Sequence, residues 1–366
     1  MLKYLGLKIT DRYIIRKFLG AFFFSLLLIL TIAVVFDFSE KIDDFMQNEA
    51  PVRAILFDYY LNFVPYFAIL FAPLFVFITV IFFTAKMAYN NEIIAILNGG
   101  MSFRRMMWPY FLSALVIMIF TFVLTNFVIP TSNLNRLEFE DQYYRSRYRR
   151  TQVPFIHRQV YPNVYVYMES YSPVSRSARN FTIEKFDEDG LLKSKLSAGT
   201  VRWDSISEKW MAFNYSIRDI SGAEESITTG TQVDTVLTIR PEYFDRGAYF
   251  VGTMTFRELY DFIDLLELQG SDEISIYLIE KHRRISVPFS VFILTLIGVS
   301  LSSKKARGGI GMQVGTGLLL SFSYILFMQF ASQFSIKGNL DPMLAMWLPN
   351  IVYAFIALLL YRMAPK

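Results

Sequence analysis

Long runs of apolar residues dominate the hydrophobic pattern of this chain of 366 residues. A helix needs about 20 apolar residues to cross the hydrocarbon core of a bilayer, which is about 30 Å thick. Six stretches without Asp, Glu, Lys or Arg are of that order, and they cover residues 18–36, 59–85, 106–135, 285–303, 308–336 and 342–361. Because a helix satisfies its backbone hydrogen bonds internally, we predict that each stretch is a transmembrane helix.

The pattern changes between the third and fourth apolar stretches, where apolar and polar residues alternate. A period of two, typical of half-buried strands, runs through residues 164–169, 210–217 and 233–239. Turn-forming residues separate these segments at 187–190, 205–208 and 221–222. This arrangement predicts antiparallel hairpins in a sandwich or jelly roll rather than a parallel sheet.

The end of this region returns to helical spacing. Residues 253–268 carry apolar side chains three and four apart, and Thr255 with Glu258 resembles a capping box that starts a helix. The predicted fold is therefore an α-helical membrane protein with six transmembrane helices, three on each side of an inserted all-β, jelly-roll-like domain. The predicted domains are an N-terminal membrane half at 1–135, the β domain at 136–252, a linking helix at 253–280 and a C-terminal membrane half at 281–366.

Lysine and arginine are concentrated in alternate loops and near both ends of the chain. The positive-inside rule places such loops in the cytoplasm, so we predict cytoplasmic termini and an extracytoplasmic β domain. The net charge of +4 then reflects topology, and nucleic-acid binding is not expected. The cations on the predicted cytoplasmic side are Lys3, Lys8, Arg12, Arg16, Lys17, Lys86, Arg104, Arg105, Lys304, Lys305, Arg307, Arg362 and Lys366.

The composition and the sequence exclude several classes of structural and catalytic site. Charged residues make up 19% of the chain, against about 25% in soluble domains. The absence of cysteine excludes disulfide scaffolds, thiolate metal sites and cysteine nucleophiles. His157 and His282 have no second ligand at metal spacing, so we interpret both as structural. Walker A, H-E-x-x-H and G-x-S-x-G motifs are also absent from the sequence.

Five glycines at the start of the fifth apolar stretch look superficially like a phosphate-binding loop. They are Gly308, Gly309, Gly311, Gly315 and Gly317. These residues open a transmembrane helix, and the spacing of Gly311 and Gly315 is typical of close helix packing. We therefore predict that these two glycines line a contact between helices.

The loop between the second and third apolar stretches contains the signature of a short helix. Asn90 or Asn91 is suited to the N-cap, and Glu92 occupies the first turn, where the helix dipole favours an anion. Gly99 and Gly100 are suited to end the helix. The segment is too short to span a bilayer, so its apolar side chains need either the bilayer interface or a groove on a partner.

This loop resembles the glutamate-containing coupling loop of the LptF/LptG permease family, the membrane subunits of the lipopolysaccharide exporter. The resemblance extends along nearly the whole chain and includes the uncommon order of three spans, a β domain and three spans. The segments that carry it are Asn91-Glu92-Ile93-Ile94-Ala95-Ile96-Leu97-Asn98-Gly99-Gly100-Met101-Ser102, Asp11-Arg12-Tyr13-Ile14, the pair Trp203 and Trp210, and Arg284 through Pro288-Phe289-Ser290.

The resemblance implies a permease subunit of an ABC exporter in the bacterial inner membrane. Such a subunit extracts lipopolysaccharide from the outer leaflet and passes it to a periplasmic bridge. The implied partners are a cytoplasmic ABC ATPase dimer, a second LptF/LptG-like permease chain, and single-span periplasmic adaptor and bridge proteins. The chain itself would be non-catalytic and would bind no cofactor, because ATP is used by the partner; no metal site is predicted, since neither histidine has a second ligand at metal spacing. Glu92 would pair with a basic residue of the ATPase, while Ile93, Ile94 and Leu97 fill an apolar groove.

The implied substrate requires an apolar wall for acyl chains and cations near the outer rim for phosphates. Candidate wall residues are Phe22, Phe24, Phe36, Ile293, Leu294 and Ile297. Candidate phosphate-binding residues are Lys41, Lys281, Arg283 and Arg284. Each set has a plain alternative, which is lipid-facing packing for the first and anchoring at the membrane interface for the second.

Two questions stay open at the level of the sequence. Asp37 stands near the outer end of the first span, where LptG-like chains tend to carry lysine, so the chain is not assigned to either half of the pair. One rival function is a mechanical or signalling ABC permease that acts on periplasmic partners without lipid transport, but that type has four spans. Another is a lipid-modifying enzyme, which would need ionisable residues within the spans.

Overall fold

The computed structural model describes residues 8–143, 153–173, 175–205, 207, 209–221, 224–235, 248–268, 274–303, 309–338 and 340–364. The chain divides into two compact units. The membrane unit consists of described residues within 1–144, 252–257 and 275–366, and the β unit of those within 145–251 and 258–274. Residues named above that lie outside the described part are Lys3, 206, 208, 222, 236–239, Lys304, Lys305, Arg307, Gly308 and Lys366.

Six of the described helices are long and apolar enough to cross a membrane, which confirms the predicted six spans. Two others, α3 and α5, are too short. The helices are α1 (Ile9–Gln47), α2 (Val52–Tyr89), α3 (Glu92–Asn98), α4 (Phe103–Tyr143), α5 (Phe256–Leu268), α6 (Ile274–Ser302), α7 (Gly309–Ile336) and α8 (Pro342–Met363).

Helices α1 and α4 continue beyond the apolar stretches that predicted them. Helix α1 runs past residue 36 to Gln47, and α4 runs past residue 135 to Tyr143. The aromatic rings of Phe45 on α1, Tyr59 on α2 and Phe139 on α4 pack together, with centroids 5.2–5.7 Å apart. This packing stabilises helical turns that are too polar for a hydropathy criterion, so α4 crosses the predicted domain boundary at residue 136.

Helices α2 and α6 form the centre of the membrane unit, with 56% and 67% of their most apolar residues buried, whereas only 17% and 22% are buried in α1 and α7. A Cβ atom on Gly298 of α6 would lie 2.8 Å from Cγ1 of Val80 on α2. A Cβ atom on Gly317 of α7 would overlap Cδ1 of Ile81. Gly311 and Gly315 have open space around them, so the prediction that they line a packed contact is wrong within this chain.

We expect Gly317→Leu to lower the free energy of unfolding by about 1–3 kcal/mol more than Gly315→Leu does, because overpacking a tight interface is costly. Both substitutions remove a glycine from the same helix, so their difference reports packing against Ile81 and not helix propensity. The measurement is unfolding of the purified chain in mixed micelles by titration with sodium dodecyl sulfate. Equal effects of the two substitutions would contradict the close approach of α7 to α2.

The β unit contains a six-stranded antiparallel sheet in which each strand pairs with the next along the chain. Alternate residues of β2, such as Val166 and Met168, are buried on one face, as the period of two predicts. Trp203 and Trp210 are direct partners across β4 and β5. The predicted inserted all-β domain is confirmed, although β1, β3 and β4 were not predicted individually and the predicted segment 233–239 overlaps β6 only at 233–235. The strands are β1 (Val153–Tyr161), β2 (Val164–Ser172), β3 (Ser177–Phe186), β4 (Leu192–Asp204), β5 (Lys209–Ser221) and β6 (Glu224–Thr235).

Candidate functional site

Helix α3 is a seven-residue surface helix between α2 and α4. Asn91 precedes it with φ of 61°, and Gly100 follows it with φ of 85°. Asn and Gly tolerate this left-handed conformation best, so the sequence fixes a sharp turn at each end. Asn91 is the N-cap residue, as one of the two predicted candidates, but its side chain makes no capping hydrogen bond.

The carboxylate of Glu92 contacts α1. The hydroxyl of Tyr13 donates a hydrogen bond of 2.7 Å to Oε2, and Nζ of Lys17 lies 3.5 Å from the same oxygen. Nδ2 of Asn90 donates to Oε1 at the longer distance of 3.4 Å. Lys17 also donates to the hydroxyl of Tyr13. The Glu92 side chain is 29% exposed, so part of the carboxylate faces solvent.

These contacts keep Glu92 ionised. Partial burial opposes ionisation, but hydrogen bonds from Tyr13 and Asn90 and the charge of Lys17 outweigh it and hold the pKa of the Glu92 carboxyl below its ordinary value. The stabilising contribution of this carboxylate is therefore present at neutral pH and is lost only as the pH falls through the lowered pKa. A negative charge is available on α3 under physiological conditions.

A partly buried ion pair between Asp11 and Arg105 joins α1 to α4. Nη1 and Nη2 of Arg105 donate to the two carboxylate oxygens of Asp11 at 2.8 and 2.6 Å. The carboxylate of Asp11 also accepts the backbone N–H of Lys8 at 2.9 Å. Asp11 is fully buried. We name the group of Asp11, Tyr13, Lys17, Glu92 and Arg105 the Glu92 cluster.

The three predicted apolar contact residues of α3 do not share one environment. Ile93 is 1% exposed and belongs to the core of the membrane unit, and Leu97 packs against the same core. Ile94 is 47% exposed. Ile93 and Leu97 therefore anchor α3 to its own chain, and their placement does not suit a groove on another protein. Of the three, Ile94 is the side chain that α3 presents outward.

At the opposite end of α1, the side chain of Lys41 is paired within the chain. Its Nζ lies 2.7 Å from Oδ1 of Asp37, one turn earlier, and also donates to the hydroxyl of Tyr59 on α2. Tyr60 donates to Oδ2 of Asp37 at 3.3 Å. The acidic residue that departs from the LptG-like pattern thus neutralises the neighbouring lysine. We name Asp37, Lys41, Tyr59 and Tyr60 the Lys41 cluster.

The predicted phosphate-binding arginines of α6 differ sharply in exposure. The Arg284 side chain is 1% exposed and donates to Oε1 of Glu280 at 3.0 Å and to the carbonyl of Met254 at 2.8 Å. Arg284 therefore joins α6 to the segment before α5, which does not suit a ligand-binding role. The Arg283 side chain is 56% exposed and also pairs with Glu280. Lys281 is partly buried.

The predicted wall residues separate into two groups. Phe24 and Phe36 are exposed on α1. The other four candidates are buried in the core of the membrane unit, so they do not line an accessible surface in this structure. Those four are Phe22, Ile293, Leu294 and Ile297.

Sequence reasoning singled out Glu92 and the Asp11-Arg12-Tyr13 segment, but it assigned no contact between them and gave no role to Lys17 beyond topology. The only available signal was that both segments resembled the same family.

His157 lies in β1 opposite Tyr167, and His282 lies on α6. Among the described residues, no group of three His, Asp or Glu side chains is arranged to hold a metal ion.

Three apolar helices precede an antiparallel sheet in the chain and three follow it, and a glutamate-bearing surface helix follows the second span; this order defines a multi-pass membrane protein with an inserted β domain. The family model "Lipopolysaccharide export system permease LptF/LptG" matches residues 12–363. The chain belongs to this family.

Curated relatives agree with this assignment over a short segment. The chain is 33% identical over 81 residues to the "Lipopolysaccharide export system permease protein LptF" of Escherichia coli K12, and proteins of the same name from Escherichia coli O157:H7 and Shigella flexneri give the same figures. The matched segment covers 22% of this chain and 22% of the length of each relative.

Proposed function

We propose that this chain is a permease subunit of an ABC exporter that extracts lipopolysaccharide from the outer leaflet of the bacterial inner membrane. It passes the lipid to a periplasmic bridge toward the outer membrane, and a separate cytoplasmic ATPase supplies the energy. The observation that carries this proposal is the family match over residues 12–363, which includes both membrane halves and the β unit. The names of the curated relatives refer to the same export system.

The Glu92 face of α3 is the proposed ATPase contact. Oε1 of Glu92 has only the 3.4 Å contact with Asn90 among the described residues, so it has room to accept a hydrogen bond from a cation. Ile94 lies exposed on the same helix and supplies apolar area. A partly buried charge pair fixes the register of two proteins more than it adds affinity. In this proposal the α3 end and both termini are cytoplasmic, and the β unit is periplasmic.

The exposed faces of α1 and α7 are the proposed contact with a second LptF/LptG-like chain. Large apolar side chains cover both faces, and a membrane protein presents such side chains either to lipid or to another subunit. In this proposal, acyl chains of the substrate lie between the two chains. The largest exposed side chains on the two helices include Phe24, Leu27, Val35, Phe36, Leu319, Phe322, Leu326 and Phe330.

Three of the predicted substrate contacts fit this arrangement. Phe24 and Phe36 suit the acyl-chain wall because both are exposed. Arg283 suits a phosphate because its side chain is exposed, although it must share its charge with Glu280. The neutralised Lys41 makes a weaker candidate. Periplasmic adaptor and bridge proteins complete the proposed system, and ATP is bound by the ATPase alone.

Purification of the tagged chain from its own host tests this function. We expect mass spectrometry of material isolated in mild detergent to find an ABC ATPase, a second six-span permease and lipopolysaccharide. The identity of the second permease reveals whether this chain is the LptF-like or the LptG-like subunit. An unrelated multi-pass protein of the same host with the same tag is the control. Recovery of the chain alone, or with other periplasmic partners, would instead favour the mechanical permease, although the six spans found here weigh against that four-span type.

A further inference from the structure

We infer that Tyr13 and Lys17 are positioning residues for Glu92: they hold its carboxylate from α1 and join the proposed ATPase contact directly to that helix. The inference rests on the proposed function, because it concerns how the glutamate that meets the ATPase is held. The residues of the Glu92 cluster come from α1, α3 and α4, all within the membrane unit.

The two oxygens of the Glu92 carboxylate have different surroundings. Oε2 receives both contacts from α1, the 2.7 Å hydrogen bond of Tyr13 and the 3.5 Å approach of Lys17. Among the residues that the structure describes, Oε1 contacts only Asn90, at the longer distance of 3.4 Å. A carboxylate can accept about four hydrogen bonds, so the contacts from α1 fix its orientation without filling it. The oxygen left with the weaker contact is the one available to the ATPase.

Helix α1 is itself fixed where it meets Glu92. Tyr13 and Lys17 are four residues apart and therefore lie on one face of the helix, and they are hydrogen-bonded to each other. Asp11, two residues before Tyr13, is held by the bidentate pair with Arg105 at the start of α4. Rotation or sliding of α1 would break these contacts, so Tyr13 and Lys17 act from a rigid support.

Because Glu92 contacts α1 directly, a force applied at Glu92 is transmitted to a helix that spans the membrane. Helix α1 contains 39 residues, and a helix of that size is about 58 Å long. Its far end carries Asp37 and Lys41, which contact Tyr59 and Tyr60 of α2 in the Lys41 cluster. Displacement of α3 by the ATPase is therefore delivered to α1 through side chains, as well as to α2 and α4 through the chain itself.

The test is a double-mutant cycle in the complete exporter reconstituted in nanodiscs. The dissociation constant of the ATPase is measured for the native permease, for Tyr13→Phe, for Glu92→Ala and for the double variant. We expect Tyr13→Phe to weaken ATPase binding about threefold to tenfold, because it removes a hydrogen bond to a charged group. In the Glu92→Ala background the same substitution should leave the dissociation constant of the ATPase unchanged, because the carboxylate that Tyr13 holds is absent.

Conservative replacements separate positioning from folding. Lys17→Met should weaken ATPase binding, and Lys17→Arg should retain it, because the second keeps the cation. Tyr165→Phe is the matched control, since it removes a hydroxyl from a tyrosine of β2, in the β unit. An equal loss from Tyr13→Phe in both backgrounds, or no loss in the native one, would overturn the inference and leave the proposed function intact. If Glu92→Ala alone leaves both ATPase binding and transport unchanged, the ATPase contact itself is wrong.

Discussion

Replacing Glu92 by arginine is expected to lower lipopolysaccharide transport more than tenfold in vesicles that contain the complete exporter, while the ATPase still hydrolyses ATP. The substitution places a cation beside Lys17 and opposite the basic residue expected on the ATPase. Two like charges about 4 Å apart near a protein surface repel with about 4 kcal/mol. Glu92→Ala removes the attraction without adding repulsion, so its effect should be smaller but should also uncouple hydrolysis from transport.

The measurement compares lipopolysaccharide released with phosphate produced, in the same vesicles. Glu188→Arg is the control for charge reversal, because Glu188 is exposed in a turn of the β unit. That variant should transport at close to the native rate. Normal transport by both Glu92→Ala and Glu92→Arg would remove the ATPase contact from α3 and, with it, the main structural support for an ATP-driven exporter.

The membrane spans were predictable because the bilayer imposes a local requirement, namely about 20 consecutive apolar residues. Their ends were not, because the final turns of α1 and α4 depend on the contact of Phe45 with Phe139, which are far apart in sequence. Likewise, Gly311 and Gly315 have the spacing of a packing face, but Gly317 makes the close approach to α2. The spacing of the glycines indicates that the helix has a face of small residues. It does not indicate which glycine contacts a neighbouring helix.

In the candidate site, too, residues within one contiguous segment were predictable from the sequence, whereas contacts between distant segments were not. Glu92 was recognisable because the contiguous segment 91–102 resembles the coupling loop of one family, and such a resemblance is local information. Its partner Tyr13 lies 79 positions away and was not predicted, because no period or motif connects the two. Arg284 was predicted as a phosphate ligand from its position near a helix end. Its guanidinium donates a hydrogen bond to the carbonyl of Met254. Met254 lies in a different segment, and the sequence pattern alone does not predict that the two segments are in contact.

The second large effect is expected for Arg105→Ala, which should lower the free energy of unfolding by about 3–5 kcal/mol, because it leaves the carboxylate of Asp11 buried without its cation. The backbone N–H of Lys8 still donates to that carboxylate but does not neutralise it. Asp11→Ala should lower the free energy of unfolding by less than Arg105→Ala does, because the side chain of Arg105 is one-third exposed and can turn toward water. The measurement is unfolding of the purified chain in mixed micelles.

Two further variants decide whether the pair itself is responsible. Arg104→Ala removes an adjacent, exposed arginine and should change the free energy of unfolding by less than about 0.5 kcal/mol. The double variant Asp11→Ala and Arg105→Ala should be more stable than Arg105→Ala alone, because no uncompensated buried charge remains. A double variant that loses the sum of the two single effects would show that Asp11 and Arg105 stabilise the protein independently. In that case, the partly buried pair would not be what fixes α1 beside Glu92.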